Sequence, residues 1–268
     1  MANRVSVYGL VAYDGTDYHG FQYQVGVPTI QGTLEASLNA FAGYDGRVVG
    51  SGRTDSGVHA VGQVVAVTAL WKHSVVDLQR AWNAHLPPSI CIHGMDVMPE
   101  GFHPRFCAVN RTYRYTVYQF DGEPEQGTPN RSPLTDRTAL FVPWTLDIDA
   151  MQDAAQWLMG EHDFATFGQP PQGDSTVRNV TQAEWQIVRS DLLALHRYPG
   201  RRLVFTISAN AFLYRMVRNI VGSLLQVGRG RWSPSELKQA LIRADRQYSA
   251  PPAPAHGLVL ERVDYPVK

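Results

Sequence analysis

The 268-residue chain has two cysteines, three lysines and no uninterrupted apolar stretch of the length that spans a bilayer as a helix, about 18 residues. Cys91 and Cys107 form neither a CxxC pair nor a disulfide framework, which excludes a small cystine-stapled scaffold and fits a reduced compartment. The segment 1–20 lacks the basic start and continuous apolar core of a secretory leader, so the expected location is the cytoplasm, with no membrane partner. The nine histidines are dispersed and supply no HExxH or paired Cys/His set, so no metal is expected. Gly50-Ser51-Gly52 is not the GxSxG of a serine hydrolase, and the segment 26–33 carries glycines without the lysine of a phosphate-binding loop. Twenty-four basic residues balance 24 acidic ones, which by itself gives no overall attraction to nucleic acid.

What is present is ordinary for a globular protein. Hydrophobic residues make up 44% and charged residues 18%, and the length suits one large domain or two closely packed ones. Charge is uneven along the chain. Residues 192–235 contain no Asp or Glu but seven arginines: Arg197, Arg201, Arg202, Arg215, Arg218, Arg229 and Arg231. Such a run is either a solvated basic face or a field that favours a polyanion.

Strands and helices alternate. Val5–Tyr13 reads as a buried strand, and Thr29 opens a helix with Leu34, Leu38 and Phe41 on one face. Residues 47–50 and 58–69 are strand-like, residues 77–86 form a helix stopped by Pro87-Pro88, and residues 111–120 alternate as a strand. The irregular stretch 121–138, with three prolines and two glycines, separates the halves, and its Asp121-Gly122 follows a strand much as Asp14-Gly15 does. Beyond it the spacing predicts a helix over 149–159, strands over 180–188 and 202–207, and a helix over 211–227. Ser233-Pro234-Ser235-Glu236 has capping-box spacing for a last helix reaching about Ala244.

The most unusual segment is Gly50-Ser51-Gly52-Arg53-Thr54-Asp55-Ser56-Gly57-Val58-His59-Ala60. A dinucleotide loop is excluded, because the glycine spacing is wrong, a strand follows, and Asp55 would repel a phosphate. Two readings of Asp55 remain: a turn residue bonding its own backbone, or a carboxylate presented beside Arg53 as nucleophile or base. A conventional glycosidase needs a second carboxylate, and the linear sequence does not show whether Asp14, Asp17 or another acid supplies it. Period two puts Arg111, Tyr113 and Tyr115 on one strand face, which is either an ordinary Tyr-rich strand or a base platform. Leu213, Val217, Ile220 and Leu224 form a core stripe with Arg218 at its edge, where it either snorkels or meets a carboxylate. Cys91-Ile92-His93 reads as packing.

Segment 52–60 resembles the signature of the tRNA pseudouridine synthase A family, and further segments resemble it in order from Tyr13 to Tyr265. These are residues 102–106 (Phe-His-Pro-Arg-Phe), Tyr113-Arg114-Tyr115, residues 160–164 (Gly-Glu-His-Asp-Phe), residues 212–222 and residues 253–258. Pro104, Cys107, Thr112 and Pro252 depart from the usual family residues. The resemblance implies an isomerase that converts uridine to pseudouridine at positions 38, 39 and 40 of the tRNA anticodon stem-loop, without cofactor or metal, as a homodimer. It implies that Asp55 is the nucleophile, that Tyr113 packs on the target base, and that Arg218 pairs with Asp55. Arg53 is expected to hold the flipped nucleotide, and Arg215 and Leu258 to contact substrate. Asp55 attacks C1′, attacks C6 or assists elimination at the sugar; Tyr113 is a candidate for removing the C5 proton.

The expected fold is α/β (α+β) of the pseudouridine synthase type: two similar halves with mixed, largely antiparallel sheets flanked by helices, and an active cleft between them. Residues 1–107 form the half with the Asp loop; residues 108–268 form the half with the Tyr platform and the Arg-rich segment. The rivals are a non-catalytic tRNA-binding or chaperoning protein of the same fold, and a nucleosidase that cleaves without rejoining.

Overall fold

Why the first strand forms is visible in its burial. In β1 (Asn3–Tyr13) Val7, Val11 and Tyr13 are buried at alternate positions, the pleat that the valine pattern predicts. The structure, a computed structural model, describes residues 3–120, 133–170, 173–188 and 200–266. Arg197, Asp121-Gly122 and the 121–132 part of the irregular stretch lie outside the described residues. The chain divides into two compact units, Met1–Arg111 with Val259–Lys268, and Thr112–Leu258.

In the first unit, Thr29 is extended and its hydroxyl accepts from the Gly32 amide at 3.2 Å, opening α1 (Ile30–Asn39). Leu34 and Leu38 are fully buried as expected, while Phe41 lies past the helix end and stacks on His85 at 4.8 Å. β2 (Gly43–Gly50) and β3 (His59–Trp71) follow, joined by the glycine-rich segment. α2 (Val75–His85) begins two residues earlier than the spacing predicts, because Ser74 accepts from the Asp77 amide at 3.1 Å. It ends at Leu86, whose extended backbone is what a following proline imposes. The Trp82 indole donates to Ser37 Oγ at 2.9 Å and to the Leu34 carbonyl at 3.2 Å, tying α2 to α1.

β4 (Ile90–Val97), which the sequence reading missed, pairs antiparallel with β1 and buries Ile92 while Cys91 and His93 face outward. β1 and β3 are antiparallel with Val7 opposite Val67, and β2 is antiparallel to β3 with Val49 opposite Ala66.

The second unit begins within β5 (Asn110–Phe120), with β6 (Leu140–Val142) parallel to it. After α3 (Ile148–Gln156) come β7 (Gly160–Asp163), β8 (Val177–Val188) and β9 (Gly200–Ala209). The sheet runs β5, β9, β8, β7, with β8 antiparallel to both its neighbours. α4 (Met216–Gly228) is buried on nearly all sides, and α5 (Pro234–Arg243) starts with both halves of the predicted capping box. The core between sheet and helices holds Phe164, Phe167, Phe205, Met151, Leu158, Ile220 and Leu224, all fully buried. α4 begins five residues later than the sequence spacing predicts. Asn210 Oδ1 accepts from the Ala211 amide at 2.9 Å, Tyr214 N donates to the Gln169 carbonyl at 2.8 Å, and Arg215 is left-handed, so residues 210–215 are tethered outside the helix.

β10 (Leu258–Asp264) returns the chain to the first unit, where Val259 and Leu260 pair parallel with His59 and Ala60. Each unit is therefore a mixed, largely antiparallel sheet with helices, as the fold class requires.

Candidate active site

The segment between β2 and β3 is held from below by buried polar groups. Ser51 N donates to the Val64 carbonyl at 2.8 Å, and Ser51 Oγ donates to Gln63 Oε1 at 2.6 Å. Gln63, fully buried, donates through Nε2 to the Gly52 carbonyl at 3.2 Å. The buried hydroxyls of Tyr13 and Thr54 lie 2.8 Å apart, and the Thr54 carbonyl accepts from Phe21 N at 3.1 Å. Burial pushes the Tyr13 phenol up to about 12, with the hydrogen bonds to Thr54 and Gln63 opposing it. Gly52 and Thr54 are thus fixed on both sides of Arg53, whose side chain is exposed.

Asp55, half-buried, opens a tight turn in which Val58 N donates to the Asp55 carbonyl at 3.1 Å and Gly57 takes a φ of +76°. That third position needs a left-handed residue, which explains the glycine. Ser56 Oγ and Gly57 N both donate to the Tyr18 carbonyl, at 3.1 and 3.3 Å. A Cβ on Gly15 would stand 2.0 Å from the Val58 carbonyl oxygen, so only glycine lets the 14–16 turn lie against this loop. His59 is buried and its Nδ1 accepts from the Gly15 amide at 3.1 Å. Asp14 is engaged in its own turn, accepting from the amide and the hydroxyl of Thr16. The Asp55 backbone makes the turn, and the contacts of Ser56 and Gly57 with the Tyr18 carbonyl hold it in place.

The other expected site residues belong to the second unit. Tyr113 is half-buried with its ring edge-on to Phe212, centroids 5.1 Å apart. Tyr115, on the same strand face, is fully buried and its hydroxyl donates to the Pro254 carbonyl at 2.9 Å. Burial drives its pKa well above the ordinary tyrosine value, with the nearby Arg218 charge pulling the other way. Tyr113 is therefore the less buried member of the pair. Arg218 clamps the 250–254 segment twice: its Nε donates to the Ala253 carbonyl at 2.8 Å, and its own carbonyl accepts from Ala253 N at 2.9 Å. The approach is allowed by Gly222, where a Cβ would be 2.1 Å from the Pro251 carbonyl oxygen.

Arg215 is exposed at φ +60°, with its guanidinium 5.0 Å from the Tyr214 ring centroid. A left-handed arginine is strained by about 1 kcal/mol or more, and such strain clusters at functional positions. Leu258 is buried at the start of β10.

The acid-free arginine run is not gathered at one point. Arg201 and Arg202 lie on β9, Arg215 and Arg218 at the start of α4, and Arg229 and Arg231 beyond its end, roughly 18 Å away along a helix of this length. Arg229 stacks over Trp144 at 4.1 Å. Burial, together with the charge of Arg114, lowers the Arg202 pKa. Among the described residues no three His, Cys, Asp or Glu side chains form a group that could hold a metal ion, and no helix is long and apolar enough to cross a membrane.

Residues that the sequence reading missed are the supports, Tyr13, Gln63 and the Ala253 carbonyl. Gln63 did carry a signal: it is an amide within a valine-rich strand, where a buried polar group must find partners.

Comparison with known proteins connects these features. The sequence profile of the family described as tRNA pseudouridine synthase matches residues 10–106 and 154–266. The tRNA pseudouridine synthase A of Chloroflexus aurantiacus is 40% identical over 263 residues, covering 96% of this chain and 87% of that protein. That of Roseiflexus castenholzii is 42% identical over 258 residues, covering 96% and 89%. Among solved structures, the archaeal box H/ACA sRNP Nop10-Cbf5 complex aligns with a TM-score of 0.35 at 14% identity, over 84% of this chain and 44% of that one, too loosely to bear on the site. With the profile matching both units and full-length relatives at this identity, the chain belongs to the tRNA pseudouridine synthase family, a family of isomerases.

Proposed function

We propose that this protein isomerises uridine to pseudouridine in the anticodon stem-loop of tRNA, at positions 38, 39 and 40, with Asp55 as the single nucleophile. The observation that carries the reading is the Asp55 loop: a half-buried carboxylate on a turn whose flanking residues are locked by Tyr13, Gln63 and Tyr18. Rigid presentation is what a nucleophile needs, because a loosely held carboxylate forfeits the orientation that lowers the barrier.

The reaction breaks the N1–C1′ bond, turns the uracil, forms a C5–C1′ bond and releases the C5 proton, while N1 gains one. Asp55 acts at C1′, at C6 or in elimination at the sugar, and any of these requires it ionised. Arg218 is the cation proposed to keep it so, and Tyr113 the ring proposed to pack on the base and the candidate acceptor of the C5 proton. Arg53, exposed between two anchored residues, is proposed to hold the flipped nucleotide. Arg215, whose strain supports a role outside folding, and Leu258 are proposed as further substrate contacts. The working form is proposed to be a cytoplasmic homodimer.

The test is mapping of pseudouridine by carbodiimide adducts and primer extension in a tRNA transcript carrying uridine at 38, 39 and 40. Stops confined to these positions are expected. Stops elsewhere in the tRNA would displace the positional assignment, and free uracil without stops would identify a nucleosidase.

A further inference from the structure

We propose that Phe106, with Arg105 beside it, is a stacking platform for one unpaired nucleobase of the RNA substrate, near the nucleotide that Asp55 acts on. The inference rests on the function proposed above and extends its site to a loop with no role assigned so far. Phe106 is 73% exposed, among the highest values for a large apolar side chain in the described residues. An isolated exposed phenylalanine is unremarkable on a protein surface. This one differs because its backbone is locked. The amides of Arg105 and Phe106 both donate to His103 Nδ1, at 3.1 and 3.3 Å, and Cys107 N donates to the His103 carbonyl at 3.0 Å. Pro104 is buried, and its carbonyl accepts from Tyr265 OH at 2.8 Å. Phe102 packs between Tyr8 and Tyr265, with centroids 5.2 and 5.0 Å away.

Arg111 places this loop beside the Asp55 segment. Its Nη2 donates to the Arg105 carbonyl at 2.8 Å and to the Ser51 carbonyl at 3.4 Å, while Nη1 reaches the Ala108 carbonyl at 3.1 Å. One guanidinium thus joins the Phe106 loop to the residue that precedes Gly52 and Arg53. Charge also suits RNA: residues 101–120 contain no Asp or Glu, and the Arg105 guanidinium lies 5.6 Å from the Phe106 ring centroid. His103 lies against the ring at 4.3 Å and 32°, and at 73% exposure the side chain keeps surface on which a base can stack. A ring on a backbone already locked, with the Arg105 guanidinium beside it, receives a base without first ordering a loop.

The test compares Phe106→Ala and Phe106→Trp with the wild type, reading the dissociation constant for an anticodon stem-loop RNA by filter binding, alongside turnover. Alanine is expected to weaken binding roughly tenfold, and tryptophan to restore it. An RNA abasic at one loop position is expected to bind the wild type that much more weakly and to show no further loss with Phe106→Ala. Equal binding of wild type and Phe106→Ala, or a penalty that persists with every abasic RNA, would overturn the platform. The two proposals separate cleanly: a wild type that binds RNA without forming pseudouridine contradicts the function, whereas a silent Phe106→Ala in an active enzyme contradicts the platform alone.

Discussion

Gln63 is a buried support of the Asp55 loop rather than a candidate for the chemistry itself. Its amide satisfies Ser51 and Gly52 in a fully buried position, so Gln63→Ala leaves Ser51 Oγ and the Gly52 carbonyl without this partner. That loss is expected to destabilise the protein by about 1–3 kcal/mol in urea unfolding and to lower kcat more than it raises KM. Unchanged kcat would mean that the loop keeps its shape without the amide. Tyr13 adds a pH dependence with a definite sign. Its folded pKa of about 12 lies above the ordinary value of 10.0, so the neutral phenol is the form that folding favours. The stability it contributes is whole below pH 10 and is lost as the pH rises toward 12. Tyr13→Phe is expected to flatten that part of the alkaline unfolding curve, followed by circular dichroism. At this scale the turn at Asp55 was legible, because three glycines and a charged pair in one short segment are unusual. Tyr115 was not separable from Tyr113, since burial on a shared strand face depends on Pro254, far away in the chain.

Helix boundaries expose both the strength and the limit of local pattern. The Ser233 capping box was readable because cap, proline and Glu236 lie within four residues. The start of α4 was misread because Leu213 continues the apolar spacing of Val217 and Ile220, while the contact that holds residues 210–215 outside the helix comes from Gln169. Two left-handed residues allow a sharp comparison. Ala244 ends α5 at φ +49°, and Ala244→Gly is expected to raise stability by about 1 kcal/mol in thermal melts with RNA binding unchanged. Arg215→Gly is expected to raise stability by a similar amount and to weaken tRNA binding. Retained tRNA affinity in Arg215→Gly would remove Arg215 from the substrate contacts.

For the whole molecule, the return of β10 to the first unit is the feature that no local pattern announces. Val259 and Leu260 pair with His59 and Ala60, four and five residues after Asp55, and a Cβ on Gly62 would meet the Glu261 carbonyl oxygen at 2.0 Å. The C-terminal strand therefore braces the exit of the Asp55 loop. Gly62→Ala is expected to lower the melting temperature and kcat together, and a variant melting like the wild type would show that β10 yields without cost. The fold class was legible at this scale from alternating strands and helices and from the family motifs. The long-range pairing was not, because parallel neighbours so distant in sequence leave no periodic trace. Neutral net charge also leaves self-association unopposed, and a dimer at micromolar concentration is the expected result in sedimentation equilibrium.

The role of Asp55 is tested most directly by tritium release from a tRNA transcript labelled at C5 of uridine, comparing the wild type with Asp55→Ala, with RNA binding measured in parallel. Release by the wild type, none by Asp55→Ala, and RNA binding retained by both is the expected result. Release by Asp55→Ala at the wild-type rate would contradict Asp55 as the nucleophile, and no release from any tRNA by a wild type that binds it would mark a binding protein that keeps the fold without the reaction.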